Sequence, residues 1–264
     1  MSDPSTQPLL RDRILANETV IGAMVFEFHV PGMPAILSQC NCEYVIYDME
    51  HSSAGYETLK WSTAACRGLP IAPMARVPTA GYNWIARALD SGAEGVMVPM
   101  VESAAQAQSI VDAMRYPPAG RRGAAFGFAH DHYTNLPVDE KVAHANARNL
   151  TIAQIESERG VEDADAIAAV EGIDVIWIGH FDLSNFMGIP GQFDSPVFNQ
   201  AVDEIIAATR KHNKALGFMA GDAKWVEWAK EKDFNMLACG TDQGLFASAV
   251  KSMVGLMSDG NPAK

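Results

Sequence analysis

Eight short apolar, β-branched runs recur along the chain, and seven of them give way to a longer amphipathic stretch. This alternation constrains the fold more than any other feature. The candidate strands are residues 20–26, 44–48, 71–77, 95–99, 151–155, 173–179, 215–220 and 236–240. Helical patterns occupy 56–67, 83–91, 104–116, 161–170, 195–213, 223–233 and 245–257. Apolar runs that barely alternate are typical of strands buried on both faces. Strands separated by helices of about ten or more residues imply right-handed crossovers and a parallel sheet. Eight of them predict an α/β fold closed into a single (β/α)8 TIM barrel. A doubly wound open sheet is the runner-up, but no GxGxxG follows the first strand. The length of 264 residues fits one barrel, read as one domain over 1–264 with flexible ends at 1–8 and 258–264. Two stretches lack periodicity: 117–145, which opens Pro-Pro-Ala-Gly-Arg-Arg-Gly, and the shorter Gly/Pro loop 188–195. A loop as long as the first is usually a functional one.

The formal net charge of −12 sets a field that repels phosphate backbones and anionic lipid, which makes nucleic acid and membrane poor partners. It leaves room for a small anionic substrate wherever an Arg or a metal inverts the local potential. The N-terminus, Met1 to Pro8, is polar, and no apolar run approaches about 18 residues, so neither a signal peptide nor a membrane span is expected. The expected compartment is the cytoplasm. Cys40, Cys42, Cys66 and Cys239 are too few for a disulfide scaffold and read as reduced structural thiols.

In a barrel of this kind the reactive groups gather where the strands end. The second strand runs into Asp48-Met49-Glu50-His51, the third reaches Arg76, the fifth delivers Gln154 and Glu156, and the sixth leads through Gly179, His180 and Phe181 to Asp182. Glu156 and Asp182 lie one strand–helix repeat apart, which places two carboxylates at neighbouring strand ends. Such a pair, completed by water and substrate oxygens, suits Mg²⁺ or Mn²⁺. Solvated rim carboxylates, or a helix cap at Asp182, fit the same spacing. His51 is a candidate general base oriented by Asp48, or a structural histidine. Arg76 either forks onto a carboxylate or enolate oxygen, or forms an interstrand ion pair. His180 is either a supporting group of the site or a packing residue. His130 and His132 lack a convincing third ligand and do not read as a zinc site. The lysines, among them Lys60, Lys141, Lys211, Lys214 and Lys224, fall on predicted helices or loops, which disfavours a Schiff base.

Taken together, several segments resemble the HpcH/HpaI family of class II pyruvate aldolases, from Val20 to about Ala249. They are Tyr47-Asp48-Met49-Glu50-His51, Leu89-Asp90-Ser91-Gly92-Ala93 with Val98-Pro99-Met100-Val101, and Arg115-Tyr116-Pro117-Pro118-Ala119-Gly120-Arg121-Arg122-Gly123. The likeness continues in Gln154-Ile155-Glu156, Val170-Glu171-Gly172-Ile173-Asp174 and Gly179-His180-Phe181-Asp182-Leu183-Ser184. The resemblance implies a homo-oligomer, a hexamer built as a trimer of dimers, with the C-terminal helix exchanged between subunits. It implies a divalent metal held by Glu156 and Asp182, with Co²⁺ a third candidate, and pyruvate chelated through its keto and carboxylate oxygens. Arg76 would stabilise the enolate oxygen, and His51 with Asp48 would move protons through a bound water. Asp90 would reach a neighbouring subunit's site. Gln154, Gly179, His180 and Phe181 would contact substrate, and Met219 would line the aldehyde pocket. The implied reaction is reversible cleavage of a 4-hydroxy-2-oxo acid to pyruvate, or a close 2-oxo acid, and an aldehyde. A lyase acting on a CoA thioester, other enolate chemistry on the same platform and a non-catalytic barrel are the competing readings. Two departures stand out: His180, where many members have Pro, and 124–148, which shows no usable likeness.

Overall fold

A computed structural model describes residues 8–258. The expected flexible ends fall almost wholly outside these residues. Eight parallel strands close into a barrel in sequence order: β1 Val20–Val25, β2 Tyr44–Asp48, β3 Ala72–Arg76, β4 Gly95–Val98, β5 Leu150–Ile155, β6 Val175–Ile178, β7 Ala215–Met219 and β8 Met236–Thr241. The predicted TIM barrel is therefore present, with strand ends shifted by a residue or two.

Side-chain parity does the rest. Along each strand alternate residues point into the barrel or out to the helices. Tyr44, Ile46, Met74, Met97, Ile152 and Trp177 belong to the inner cluster, whereas Val45, Tyr47, Ala75 and Val96 belong to the outer one beneath the helices. Extending the inner parity to the strand ends directs Asp48, Arg76, Gln154 and Met219 inward. The interior has no room for eight large side chains per layer, so small residues alternate with large ones: a Cβ on Gly217 would sit 3.0 Å from Trp177 Cδ2.

The outer layer holds α3 Tyr56–Ala65, α4 Tyr82–Asp90, α5 Ala104–Met114, α10 Pro196–Lys211, α11 Ala223–Glu231 and α12 Asp242–Met257, all near their predicted positions. The predicted helix at 161–170 is instead two, α7 Glu158–Glu162 and α8 Ala164–Ala169. Asp163 breaks them, and its carboxylate accepts the Ala104 N–H at 2.7 Å. Three short helices escape periodicity: α1 Leu10–Leu15, α2 Met33–Gln39 and α9 His180–Phe186. The stretch read as irregular carries a 3-10 turn at Ala129–Asp131 and a full helix, α6 Val138–Arg148. The low mean hydropathy of α6, with only Lys141 and Ala145 buried, hid it from pattern reading. Among the described residues no helix is long and apolar enough to cross a membrane.

The rim opposite the strand ends is locked by one carboxylate. Asp174 is 2% exposed and accepts from Arg11 at 2.8 and 3.0 Å, from Arg115 Nη2 at 3.1 Å and from the Thr151 N–H at 2.9 Å. Arg115, part of the Arg-Tyr-Pro-Pro motif, thus ties β5 and β6 together. Asp174→Ala would strand the buried Arg115 cation and is expected to cost about 3–5 kcal/mol in denaturant unfolding. Activity per folded molecule should be unchanged, because Asp174 stands at the far end of the barrel from the strand C-termini.

Candidate active site

The loop after β2 turns on Asp48, which is fully buried. Its carboxylate accepts the main-chain N–H of His51 at 2.8 Å and of Glu50 at 3.3 Å, and it receives Arg76 Nε at 2.5 Å. The register Asp48↔Arg76 sets these two side chains next to each other on the inner face. Arg76 is 5% exposed and also pairs with Glu50, Nη1 to Oε2, at 3.2 Å. Its guanidinium carbon lies 5.2 Å from the centre of the Phe26 ring, and Nη2 is buried without a partner.

This corrects one expectation. Asp48 holds His51 by its backbone and leaves the imidazole free. The carboxylate nearest the ring is Glu50, 3.7 Å from His51 Nε2, and the His51 side chain is 56% exposed. Asp48 is committed to Arg76 because a buried guanidinium needs a charge-assisted acceptor more than an exposed imidazole does. Glu50 stands inside the motif quoted above, yet spacing alone did not separate it from its neighbours.

Glu156 follows β5 and is 2% exposed. Its Oε1 accepts the Met100 N–H at 2.8 Å and its Oε2 accepts Gln154 Nε2 at 2.6 Å. Met100 adopts a left-handed backbone, φ 53°, unusual for a residue with a side chain. Gln106 Nε2 donates to the Met100 carbonyl at 3.1 Å and clamps the turn. Strain of this kind persists only where surrounding contacts over-determine it. No sequence signal marks a non-glycine residue for that conformation, so Met100 was missed. Gly179, which caps α9, packs against this pair: a Cβ there would collide with the Glu156 carboxylate and lie 2.7 Å from Gln154 Nε2. Only glycine fits. Gln154 Oε1 is buried without a partner.

Burial pushes the Glu156 carboxyl up to about 8. The Met100 N–H opposes the shift, the charges of Glu50 and Asp182 add to it, and Arg76 opposes it. Burial likewise raises Glu50, with Arg76 and His51 lowering it and Asp48 and Asp182 raising it. Asp182, third residue of α9 and half-buried, therefore shares one electrostatic neighbourhood with Glu50, Glu156 and Arg76. The structure brings together Asp48, Arg76, Gln154, Glu156, Gly179 and Asp182, with His51 at the rim and Met219 resting on the inner cluster.

Three candidates lie elsewhere. The His180 ring is buried among Phe181, Phe193, Phe218 and Trp225, with centroids 4.5–5.4 Å away, in the layer between strands and helices. Burial lowers its pKa to about 4, so it packs as a neutral ring. Phe181 is 59% exposed and edges against Phe193. Asp90 ends α4 at the turn leading into β4, on the opposite rim, and accepts Arg122 Nη2 at 2.6 Å. His130 and His132 bond Tyr116 and Arg148 respectively.

A closed parallel barrel whose strand ends carry a buried Arg–Asp pair and a buried glutamate defines an enzyme of the (β/α)8 class with its polar cluster at the usual rim. The chain belongs to the HpcH/HpaI aldolase/citrate lyase family, whose model matches residues 27–249. It is 32% identical over 253 residues to a hydroxypyruvate/pyruvate aldolase of Pseudomonas aeruginosa, covering 96% of this chain and 94% of the relative. It is 33% identical over 222 residues to a 5-keto-4-deoxy-D-glucarate aldolase of Klebsiella pneumoniae subsp. pneumoniae, covering 83% and 84%. The crystal structure of an HpcH/HpaI aldolase from Desulfitobacterium hafniense DCB-2 superposes with TM-score 0.90 at 28% identity, covering 95% of this chain and 97% of that one.

Proposed function

We propose that this chain is a metal-dependent aldolase that reversibly cleaves a 4-hydroxy-2-oxo acid to pyruvate, or a close 2-oxo acid, and an aldehyde. The observation that carries the reading is Glu156: a buried carboxyl whose upward shift the charges of Glu50 and Asp182 reinforce, in the same site as a buried Arg76 with one donor to spare. Among the described residues no group of three His, Cys, Asp or Glu is placed to hold a metal. Two carboxylates completed by water and substrate oxygens suit a hard cation. A carboxyl with a pKa of about 8 among like charges is also one that a cation would hold ionised. Glu156 and Asp182 would hold Mg²⁺, Mn²⁺ or Co²⁺. A bound ion supplies Lewis-acid polarisation of the 2-oxo acid.

The chain's own residues do the rest. His51 takes the proton of the 4-hydroxyl, directly or through a water, as the C3–C4 bond breaks and the aldehyde leaves. Arg76 Nη2 donates to the oxygen on which the released electron pair settles, and Asp48 and Glu50 keep the guanidinium aimed. The proton then returns to C3, which becomes the methyl group of pyruvate. Gln154 and Gly179 shape the wall beside Glu156, and Met219 lines the aldehyde side. Asp90, whose carboxylate is 38% exposed, is assigned to a neighbouring subunit's site. The proposed assembly is a cytoplasmic hexamer with α12 exchanged, which would cover the exposed Phe246, Met253, Leu256 and Met257. A lyase on a CoA thioester is the weaker reading, since Arg122, one of two arginines that could meet its phosphates, is buried on Asp90.

Metal-depleted protein should release no pyruvate from a 4-hydroxy-2-oxo acid, and added Mn²⁺ or Mg²⁺ should restore release. Folded, metal-loaded protein that released none would end the aldolase reading. Ion binding must expel the Glu156 proton, so affinity for Mn²⁺ should rise about tenfold per pH unit and level off above about pH 8. Calorimetry in two buffers would read the proton; a flat affinity from about pH 6 to about pH 9 contradicts the assignment. In metal-free protein the sign reverses. The folded carboxyl keeps its proton up to about 8 whereas the unfolded one releases it near 4.5, so stability falls as pH rises through that window.

A further inference from the structure

Asp242, the first residue of α12, reaches from the end of β8 to the loop that follows the neighbouring strand β1. Its carboxylate accepts three consecutive main-chain N–H groups: Phe26 at 2.9 Å on Oδ1, and Glu27 at 3.1 Å and Phe28 at 2.6 Å on Oδ2. The residue is 8% exposed. A carboxylate in the first turn of a helix ordinarily complements that helix's own N–H groups. Here Thr241 does so, its hydroxyl accepting the Gly244 N–H, and the bonds of Asp242 run to the loop instead.

The loop carries Phe26, which continues the inward parity of β1 and packs on the inner cluster. Its ring face lies against Arg76, 5.2 Å from the guanidinium carbon. Arg76 is thus held on its edge by Asp48 and Glu50 and on its face by Phe26, and Nη2 is the donor left over. Main-chain N–H groups bound to a buried carboxylate make strong, geometrically defined contacts, and a guanidinium aimed before the reaction costs no reorganisation during it.

We propose that Asp242 is a positioning residue for Arg76: by gathering the N–H groups of residues 26–28 it seats the Phe26 ring under the guanidinium and aims Nη2 at the reacting oxygen. The inference rests on the role given to Arg76 above. Two variants test it. Asp242→Asn keeps the shape but sets an amide N–H against the loop N–H groups, and Phe26→Leu keeps an apolar side chain without the π face. The first readout is solvent exchange of the Arg76 Nε–H by NMR, assigned by its loss in Arg76→Lys; it should quicken about tenfold in both variants, the scale of a desolvated cation–π contact. The second is deuterium uptake into the methyl group of pyruvate by Mn²⁺-loaded protein, which should slow about tenfold in each variant and no further in the double variant. Unchanged Nε–H exchange in Phe26→Leu would overturn the proposal, even were Asp242→Asn unable to fold. So would losses that multiply in the double variant. Wild-type protein that exchanged no pyruvate proton would sink the aldolase reading, while the Nε–H measurement would still decide this one.

Discussion

Glu156→Gln is expected to lower turnover by at least about 10³-fold and to abolish its response to added Mn²⁺ or Mg²⁺. The substitution is nearly isosteric. Its Oε1 can still accept the Met100 N–H, so the turn at Met100 and the contact with Gly179 should survive. What is lost is the negative charge that an ion requires; the new amide nitrogen replaces the acceptor of Gln154 Nε2, and a turn of the Gln154 amide would let its unpartnered Oε1 accept instead. Because the buried wild-type carboxyl is held up to about 8, an uncharged amide should leave metal-free protein as stable as the parent at neutral pH, or more so. Thermal unfolding separates that outcome from a folding defect. A variant that kept metal-stimulated turnover would remove Glu156 from the ligand set.

Arg76→Lys should lower turnover about 10²- to 10³-fold, the range seen when a preorganised donor to a developing oxyanion is removed. A lysine ammonium cannot hold Asp48, Glu50 and the face of Phe26 together while offering a further donor outward, since that arrangement needs the planar fork. Pyruvate binding should weaken far less than turnover, because the donor acts most strongly when charge has built up. Equal losses in KM and kcat would make Arg76 a binding residue only. Some stability should also be lost, as Asp48 is fully buried and a poorly seated lysine leaves it partly unpaired.

Exposed apolar side chains on α12 and the bonds of Asp242 at its first residue have a joint consequence. The helix offered for assembly begins at the residue that grips the β1 loop, so its outer face and the Arg76 side of the site are continuous through one short piece of backbone.

Much was legible because it is local. The eight strands and seven of the helices followed from hydrophobic periodicity, and Asp48, Arg76, Gln154 and Glu156 from where those strands end. The inward direction of Asp48, Arg76, Gln154 and Met219 was then set by strand parity in the closed barrel, as side chains alternate by two along each strand. Spacing paired Glu156 with Asp182 and the resemblance implied that they hold a metal; in the structure the charge of Asp182 adds to the raised pKa of Glu156. Helices too short or too polar to show a period, α1, α2, α6 and α9, were not legible, since their helical state is decided by packing and capping.

The amino-acid sequence by itself determined the barrel and that Asp48, Arg76, Gln154 and Glu156 come at the ends of its strands. Only the tertiary structure decided what each of them touches. Asp48 bonds Arg76 and not the His51 imidazole; His180 turns into an aromatic layer away from Glu156; Met100 takes a left-handed turn to offer its N–H; and Asp242 binds a loop 216 residues earlier. The physical reason is common to all four. Periodicity and parity are properties of neighbouring residues, whereas a hydrogen bond or ion pair is chosen by competition among groups that meet only once the barrel has closed.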